Sequence, residues 1–414
     1  MMTLNKLMKV RQSAQGGIQI RTGVIRGLVL AASLLAACSI QISDATPVRP
    51  SPPVVATAIP LPPATGAPFA TQSALSWSNL GLSGRLIFTE GEAGISVLDL
   101  ATGAERKIFQ PPAGAWLTAA AASPDGQTVV ISYAPPPPHG QVQLGYTGLY
   151  IMSADGSGTP LPVLERANAQ ESFFTPAWSP DGQYLYFAHF QPVNDPNASN
   201  SFRYTVERMS ASGGQPEPLI ENAIWPRLSP DGKTLAYLSF DPVTFSNDLY
   251  IADPDGRNAR PVLQPGTFVA VDAHLFSPDS GSIIFSAVGE GPGLPAEAPT
   301  ASPALSWVDR LLGVRTVDAA SDESLYTRLL AGRAAHNVPS DWWRISLSGG
   351  EPVRLTKIYD TSMYGGFSPD GKYVAFVAST GLYVMAPVQD GTGLVRPQPL
   401  RSLNGPAGTL QWLK

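Results

Sequence analysis

Cysteine is almost absent: Cys38 is the only one in 414 residues. A chain with one cysteine has no internal disulfide, so the body beyond Cys38 also lacks a thiol nucleophile and a cysteine metal ligand. Histidine is nearly as scarce. His139, His189, His274 and His336 show no i, i+4 or close paired spacing, which argues against a histidine metal site. Each reads as a surface or packing residue. Charge is thin, at 14% of the residues, with 27 basic against 32 acidic side chains and no long basic run. Nucleic acid and a polybasic membrane contact are therefore disfavoured. A G-x-S-x-G elbow is missing too, so a serine hydrolase is not expected. No cofactor is expected. What the chain has in quantity is Gly (39) and Pro (41), without a collagen-like period. That composition excludes a helical bundle and implies many short elements joined by turns.

The N-terminus reads as an address. Lys6, Lys9, Arg11, Arg21 and Arg26 precede an uncharged apolar run from Gly27 to Ala37, and Cys38 follows directly. A basic region followed by a short apolar one is the pattern of a secretory signal. The uncharged stretch ends at Ser43, at the lower edge of the roughly 17–25 residues a spanning helix needs. Leu35-Ala36-Ala37-Cys38 resembles the bacterial lipobox. The resemblance implies cleavage before Cys38, a diacylglycerol on its thiol, and attachment to a membrane through that lipid. The expected location is the outer face of the cytoplasmic membrane or the outer membrane, in the periplasm or at the cell surface. Residues 1–37 are thus read as the signal peptide, and its loss would take five basic residues from the balance, leaving 22 against 32. Residues 38–79 read as a tether. Eight prolines fall between Pro47 and Pro68, and such a segment favours polyproline II at about 3.1 Å per residue.

The remainder, residues 80–414, repeats. Ser123-Pro124-Asp125-Gly126 returns at Ser179–Gly182, Ser229–Gly232 and Ser368–Gly371, and as Ser277-Pro278-Asp279-Ser280. Pro pre-sets φ at the second turn position, Asp suits the third, and Gly accepts a positive φ at the fourth. In the fourth copy the positive φ is expected to move to Gly281. Out of phase with these turns, six strand-like runs end in a Gly turn, at Ile95–Gly103, Leu149–Gly156, Tyr204–Gly213, Leu249–Gly256, Trp342–Gly349 and Leu382–Gly391. Units of strand, turn, strand, loop, strand, Gly turn, strand at this spacing mark a β-propeller. Trp178–Phe187, Leu249–Gly256 and Leu382–Met385 resemble the TolB-type propeller repeat, which implies an all-β fold of four-stranded blades over residues 80–414.

The serines of successive copies lie 56, 50, 48 and 91 residues apart. The long gap contains residues 289–340, which lack strand-like runs and place Trp307, Val308, Leu311 and Leu312 on one helical face. They read as a partly helical insertion in the fifth of six blades, with seven blades as the alternative. The first repeat lacks an inner strand, and Thr409–Leu413 is expected to supply it and close the ring.

Up-and-down strands put every S-P-D-G and Gly turn on one face and the long, variable loops on the other. The second face is the expected interaction face. His336, Asp341, Trp342 and Trp343, at the end of the insertion, are the candidate binding rim, with stacking of a sugar or peptide on the indoles as its chemistry. Asp253-Pro254-Asp255-Gly256 lacks the full pattern of a calcium loop and reads as a turn. The function expected is that of a lipid-anchored module binding a protein, peptide or glycan of the cell envelope. The alternative is an enzyme, a lyase or hydrolase of sugar or cell-wall substrates, with its site at the channel mouth.

Overall fold

The computed structural model describes residues 75–139, 145–193, 202–241, 246–289, 291, 340–360, 364–379, 381–387, 394–403 and 408–414. All of them belong to the second of two units, Thr71–Lys414. The signal, Cys38, almost the whole tether, and the insertion apart from Gly289, Gly291 and Ser340 lie outside the described residues.

Each S-P-D-G segment builds its turn from its own atoms. Ser179 Oγ donates to Asp181 Oδ1 at 2.5 Å and accepts from Tyr184 N–H at 2.9 Å. Asp181 Oδ1 also accepts from Gln183 N–H at 3.0 Å, and Gly182 N–H closes on Ser179 O at 2.9 Å. The same bonds recur at Ser123, Ser229, Ser277 and Ser368. The Ser179 hydroxyl and the Gln183 amide hold the Asp181 carboxyl below its ordinary pKa. In the fourth copy the expected shift does not occur: Ser280 itself takes φ +60°. Its N–H still closes on Ser277 O at 2.8 Å, so the turn's bonds outweigh the side chain's preference.

These turns join the first and second strands of antiparallel sheets. Blade 2 is β4 (Trp116–Ala122), β5 (Thr128–Ala134), β6 (Gly148–Ser153) and β7 (Leu161–Leu164). Blade 3 is β8 (Ser172–Trp178), β9 (Tyr184–Pro192), β10 (Phe202–Ser210) and β11 (Glu217–Glu221). Blade 4 is β12 (Ala223–Leu228), β13 (Leu235–Phe240), β14 (Asn247–Ala252) and β15 (Arg260–Pro261). Blade 5 is β16 (Ala270–Phe276), β17 (Ser282–Val288), β18 (Asp341–Ser346) and β19 (Val353–Arg354). Blade 6 is β20 (Tyr364–Phe367), β21 (Val374–Ala378), β22 (Gly381–Met385) and β23 (Gln398–Arg401). Blade 1 joins β1 (Arg85–Thr89), β2 (Ile95–Asp99) and β3 (Glu105–Phe109) to the last strand, β24 (Leu410–Leu413). The protein is a six-bladed β-propeller of four-stranded blades. Direct pairing of β17 with β18 puts the insertion between the second and third strands of blade 5.

Alternation along the second strands explains the packing. On β5, Val129 and Ile131 face blade 1 while Val130 faces blade 3. On β17, Ile283 and Phe285 face blade 4 while Ile284 faces blade 6. Apolar clusters therefore fill the spaces between neighbouring blades all round the ring. Both faces of a blade are covered, which is why these strands are continuous apolar runs.

The ring closes through β24. It pairs with β1, Leu86 opposite Trp412. Thr409 Oγ1 accepts from Ala120 N–H and donates to Ala120 O, at 2.8 and 2.9 Å. The Gln411 side-chain amide does the same for Ala122, at 2.9 and 3.3 Å. Trp412 seals the apolar space between blades 6 and 1, and its Nε1 donates to Ser83 O at 2.9 Å. Trp412→Ala is expected to cost about 3–5 kcal/mol, as other buried large-to-small changes do. Urea unfolding checks this, and a loss below about 1 kcal/mol would mean that β24 is not the closing element.

Candidate functional site: the channel mouth

The first strands of the blades line a central channel, and four of them are bulged. Pairing shifts by a residue between Leu117 and Ala119 on β4, Phe174 and Ala177 on β8, Ile224 and Arg227 on β12, and Val271 and Ala273 on β16. Two bulges carry strain. Thr175 has φ +48° and Trp225 has φ +56°, and each stands directly before a proline, Pro176 or Pro226. A bulky or β-branched residue in that region is an outlier that its surroundings must hold in place.

Thr175 and Trp225 line the cavities on both sides of them, and so divide the channel. Trp225 is also stacked on Tyr364 of blade 6, with ring centroids 4.9 Å apart and planes 16° from parallel. The cavity on the loop face is about 910 Å³. Trp116, Tyr146, Phe174, Phe190, Tyr204, Trp225, Phe240 and Tyr364 line it, together with Glu90 and Glu92 from the β1–β2 loop. The rings support one another. Tyr146 stacks on Phe190 at 6.0 Å, Phe190 meets Tyr204 at 5.2 Å, and Tyr204 meets Phe240 at 4.6 Å. Trp116 is 44% exposed. The mouth is thus a rigid aromatic surface open to solvent, suited to stacking on the apolar face of a ligand.

Of the carboxylates at the mouth, Glu92 is exposed. Glu90 is buried and accepts from Arg401 Nη2 at 3.2 Å. Burial pushes the Asp272 carboxyl up to about 7 against a smaller lowering by the Ser340 hydroxyl. Asp272 sits near enough to Tyr364 to raise the phenol further beyond its burial, yet it is not among the residues that line the cavity. Among the described residues, no group of three or more His, Cys, Asp or Glu is placed to hold a metal ion.

The rim expected from sequence is placed differently. Asp341, Trp342 and Trp343 are all buried, at 2%, 0% and 1% exposure. Trp342 packs toward blade 6 and Trp343 toward blade 4, because neighbours on a strand point to opposite faces and both faces of a blade are covered. Asp341 accepts from Arg354 Nη2 at 2.6 Å, Thr356 Oγ1 at 3.0 Å and Ile358 N–H at 2.6 Å. These three are therefore an internal brace and not a solvent-facing rim. His336 lies outside the described residues. In the Asp253–Gly256 segment, Gly256 N–H closes on Asp253 O at 2.9 Å and Arg257 Nε pairs with Asp255 at 2.7 Å, so a turn is what forms.

Histidines divide in the same way. His139 is exposed. His274 is enclosed, and burial together with the nearby charge of Arg227 lowers it to about 3, so its ring is neutral. His189 is a packing residue of an unexpected kind. Its Nδ1 meets Glu207 Oε1 and its Nε2 meets Glu171 Oε1, both at 2.8 Å, and all three side chains are buried. Burial alone would lower its pKa, but the bonds and charges of Glu207 and Glu171 outweigh that and raise it.

No family model matches the chain. The "Uncharacterized peptidase YuxL" of Bacillus subtilis (strain 168) is 29% identical over 206 residues, which span 49% of this chain and 29% of that protein. TolB from Acinetobacter baumannii superposes with a TM-score of 0.49 at 15% identity, covering 80% of this chain and 66% of that one. A putative TolB from Agrobacterium tumefaciens gives 0.47 at 18% identity, covering 80% and 100%. Assignment of the propeller rests on this chain's own strand pairing.

The mouth residues were not singled out from sequence because they come from different blades. Their one linear signal is an aromatic or threonine before proline inside a first strand, at Thr175-Pro176 and Trp225-Pro226.

The His189 cluster yields a pH dependence. A raised folded pKa gives stability that is complete below the unfolded value of 6.5 and is lost as pH rises through the folded value. His189→Ala is expected to cost about 3–5 kcal/mol at pH 6, since it leaves two buried carboxylates unpaired. The gap to wild type is expected to narrow at alkaline pH. Urea unfolding at pH 6 and pH 9 checks this, and an unchanged gap would mean that His189 is neutral in the folded protein.

Proposed function

We propose that the propeller is the binding module of an exported, lipid-anchored protein, and that it takes a peptide or glycan segment of a cell-envelope partner into the aromatic mouth. The observation that carries this reading is the 910 Å³ cavity whose walls are eight aromatic side chains from blades 2, 3, 4 and 6. Rings braced against one another lose little freedom on binding, which favours a stacked ligand. The signal and lipobox pattern support the address, and the tether supports reach.

Orientation fits the proposal. The described chain enters the propeller on the turn face, where Trp77 Nε1 donates to Leu100 O at 2.8 Å and Tyr373 Oη donates to Leu80 O at 3.4 Å. The mouth opens on the opposite face from residues 75–80.

One observation favours a second reading, an enzyme at the same mouth: burial pushes the Asp272 carboxyl up to about 7, the range a general acid or base needs. Its place outside the cavity lining ranks that reading below binding. The peptidase name belongs to the Bacillus subtilis protein as a whole, of which the matched stretch is 29%.

Titration of the purified protein with chito-oligosaccharides and with Pro- and aromatic-rich peptides, read by tryptophan fluorescence, tests the proposal. One class is expected to saturate, and Trp116→Ala is expected to weaken it at least about tenfold, the size of an interface hot spot, without lowering Tm. Equal binding by wild type and Trp116→Ala would remove the mouth as the site. Turnover of either class, abolished by Asp272→Asn, would favour the enzyme.

A further inference from the structure

Below the Thr175–Trp225 partition the channel changes character. The cavity on the turn face is about 260 Å³, lined by the first strands of blades 1 to 4 and by Pro124, Ser179 and Pro180 of two turns. Its polar side chains are mostly committed. Gln411 and Thr409 are bonded to β4, Ser179 serves its own turn, and Trp178 Nε1 donates to Ala121 O at 3.0 Å.

Two are not committed. The Thr175 hydroxyl is buried without a hydrogen-bond partner. Arg227 is partly buried, and among the described residues no carboxylate and no hydrogen-bond acceptor meets its guanidinium. Burial is the sole influence on it and lowers its pKa only to about 10, so at neutral pH it is a cation. The ionisable group packed against it from β16 is His274, which is neutral. A cation partly withdrawn from water, with no counter-ion among the described residues, carries a desolvation cost that a bound anion would offset.

We infer that this cavity is an anion site in which Arg227 receives a small singly charged carboxylate. The planar fork of a guanidinium matches the two oxygens of a carboxylate. The cavity's size admits one small group. Asp125 and Asp181 belong to the turns whose Pro124 and Pro180 line the cavity, and their lowered pKa keeps them negative, which disfavours a doubly charged phosphate. The ligand is thus a small monocarboxylic acid or the carboxylate end of a larger molecule, and its site is separate from the aromatic mouth.

The experiment is a titration of the purified full chain with sodium acetate and, in parallel, with inorganic phosphate, at constant ionic strength balanced by chloride. The Arg227 side-chain Nε–H resonance and Tm are followed. Acetate is expected to move both saturably and phosphate to act more weakly. Arg227→Gln is expected to weaken the acetate effect on Tm at least about tenfold, and Trp116→Ala to leave it unchanged, which separates this site from the mouth. An Arg227 resonance that does not move, an acetate effect as large in Arg227→Gln as in wild type, or phosphate binding more tightly than acetate would each overturn the carboxylate assignment.

Discussion

The structure depends on one constraint: every blade must be covered on both faces, and only a closed ring achieves that. A blade alone would expose two apolar surfaces. In the ring, the Val129–Val130–Ile131 run serves two neighbours at once, and so does Ile283–Ile284–Phe285. The cost of leaving one seam open is the exposure of two such surfaces and the edge of a sheet. That makes β24 different from the other strands. Through Thr409 and Gln411 it reproduces, with side chains, a ladder to the backbone of β4. The last strand is thereby fastened to blade 2 as well as to blade 1.

Closure also divides labour between the two ends of the ring. On the turn face, repeated Ser-Pro-Asp segments satisfy their own backbone and leave little freedom. On the loop face, chain is released from that duty, and the aromatic side chains there come from strand ends that have no turn to build. The strained bulges at Thr175 and Trp225 stand at the boundary between these regimes. A strand that only had to pair with its neighbour would not need a positive φ before proline. These two do something else: they turn side chains into the channel, where they separate an aromatic cavity from one lined by Arg227, which has no counter-ion among the described residues.

Much of this architecture was legible because the repeat is local. Turn chemistry and the six third strands follow from residues a few positions apart, and the place of the insertion and the closing role of Thr409–Leu413 follow from where the repeat is over-long or incomplete. What was not legible is what the ring brings together from afar. Trp342 and Trp343 look like a rim only while blade 5 is imagined without blades 4 and 6. Once both neighbours are present, each indole has a core to enter. His189 looks isolated in sequence because Glu171 and Glu207 lie 18 residues to either side, and register alone brings them within 2.8 Å. The mouth is harder still, since its rings come from four blades and no two of the stacked pairs share a linear motif.

Ser280 shows where local reasoning reaches its limit even inside the repeat. A glycine one position later offers an unstrained way to supply the positive φ, and sequence preference points there. The structure keeps the strain at Ser280, with φ +60°. Moving the positive φ to Gly281 would shift the frame of a turn in which Ser277 and Asp279 are already bonded to each other, to Gly281 N–H and to Ser282 N–H. It would also offset β17 against β16, turning the side chains of Ile283, Ile284 and Phe285 toward the wrong neighbours. One left-handed serine costs about 1–2 kcal/mol, while a slipped second strand would misplace several buried side chains at about 1.5–3 kcal/mol each. The slipped strand is the costlier alternative, so the strain stays at Ser280, and what sets that cost is again the requirement that both faces of the blade be covered.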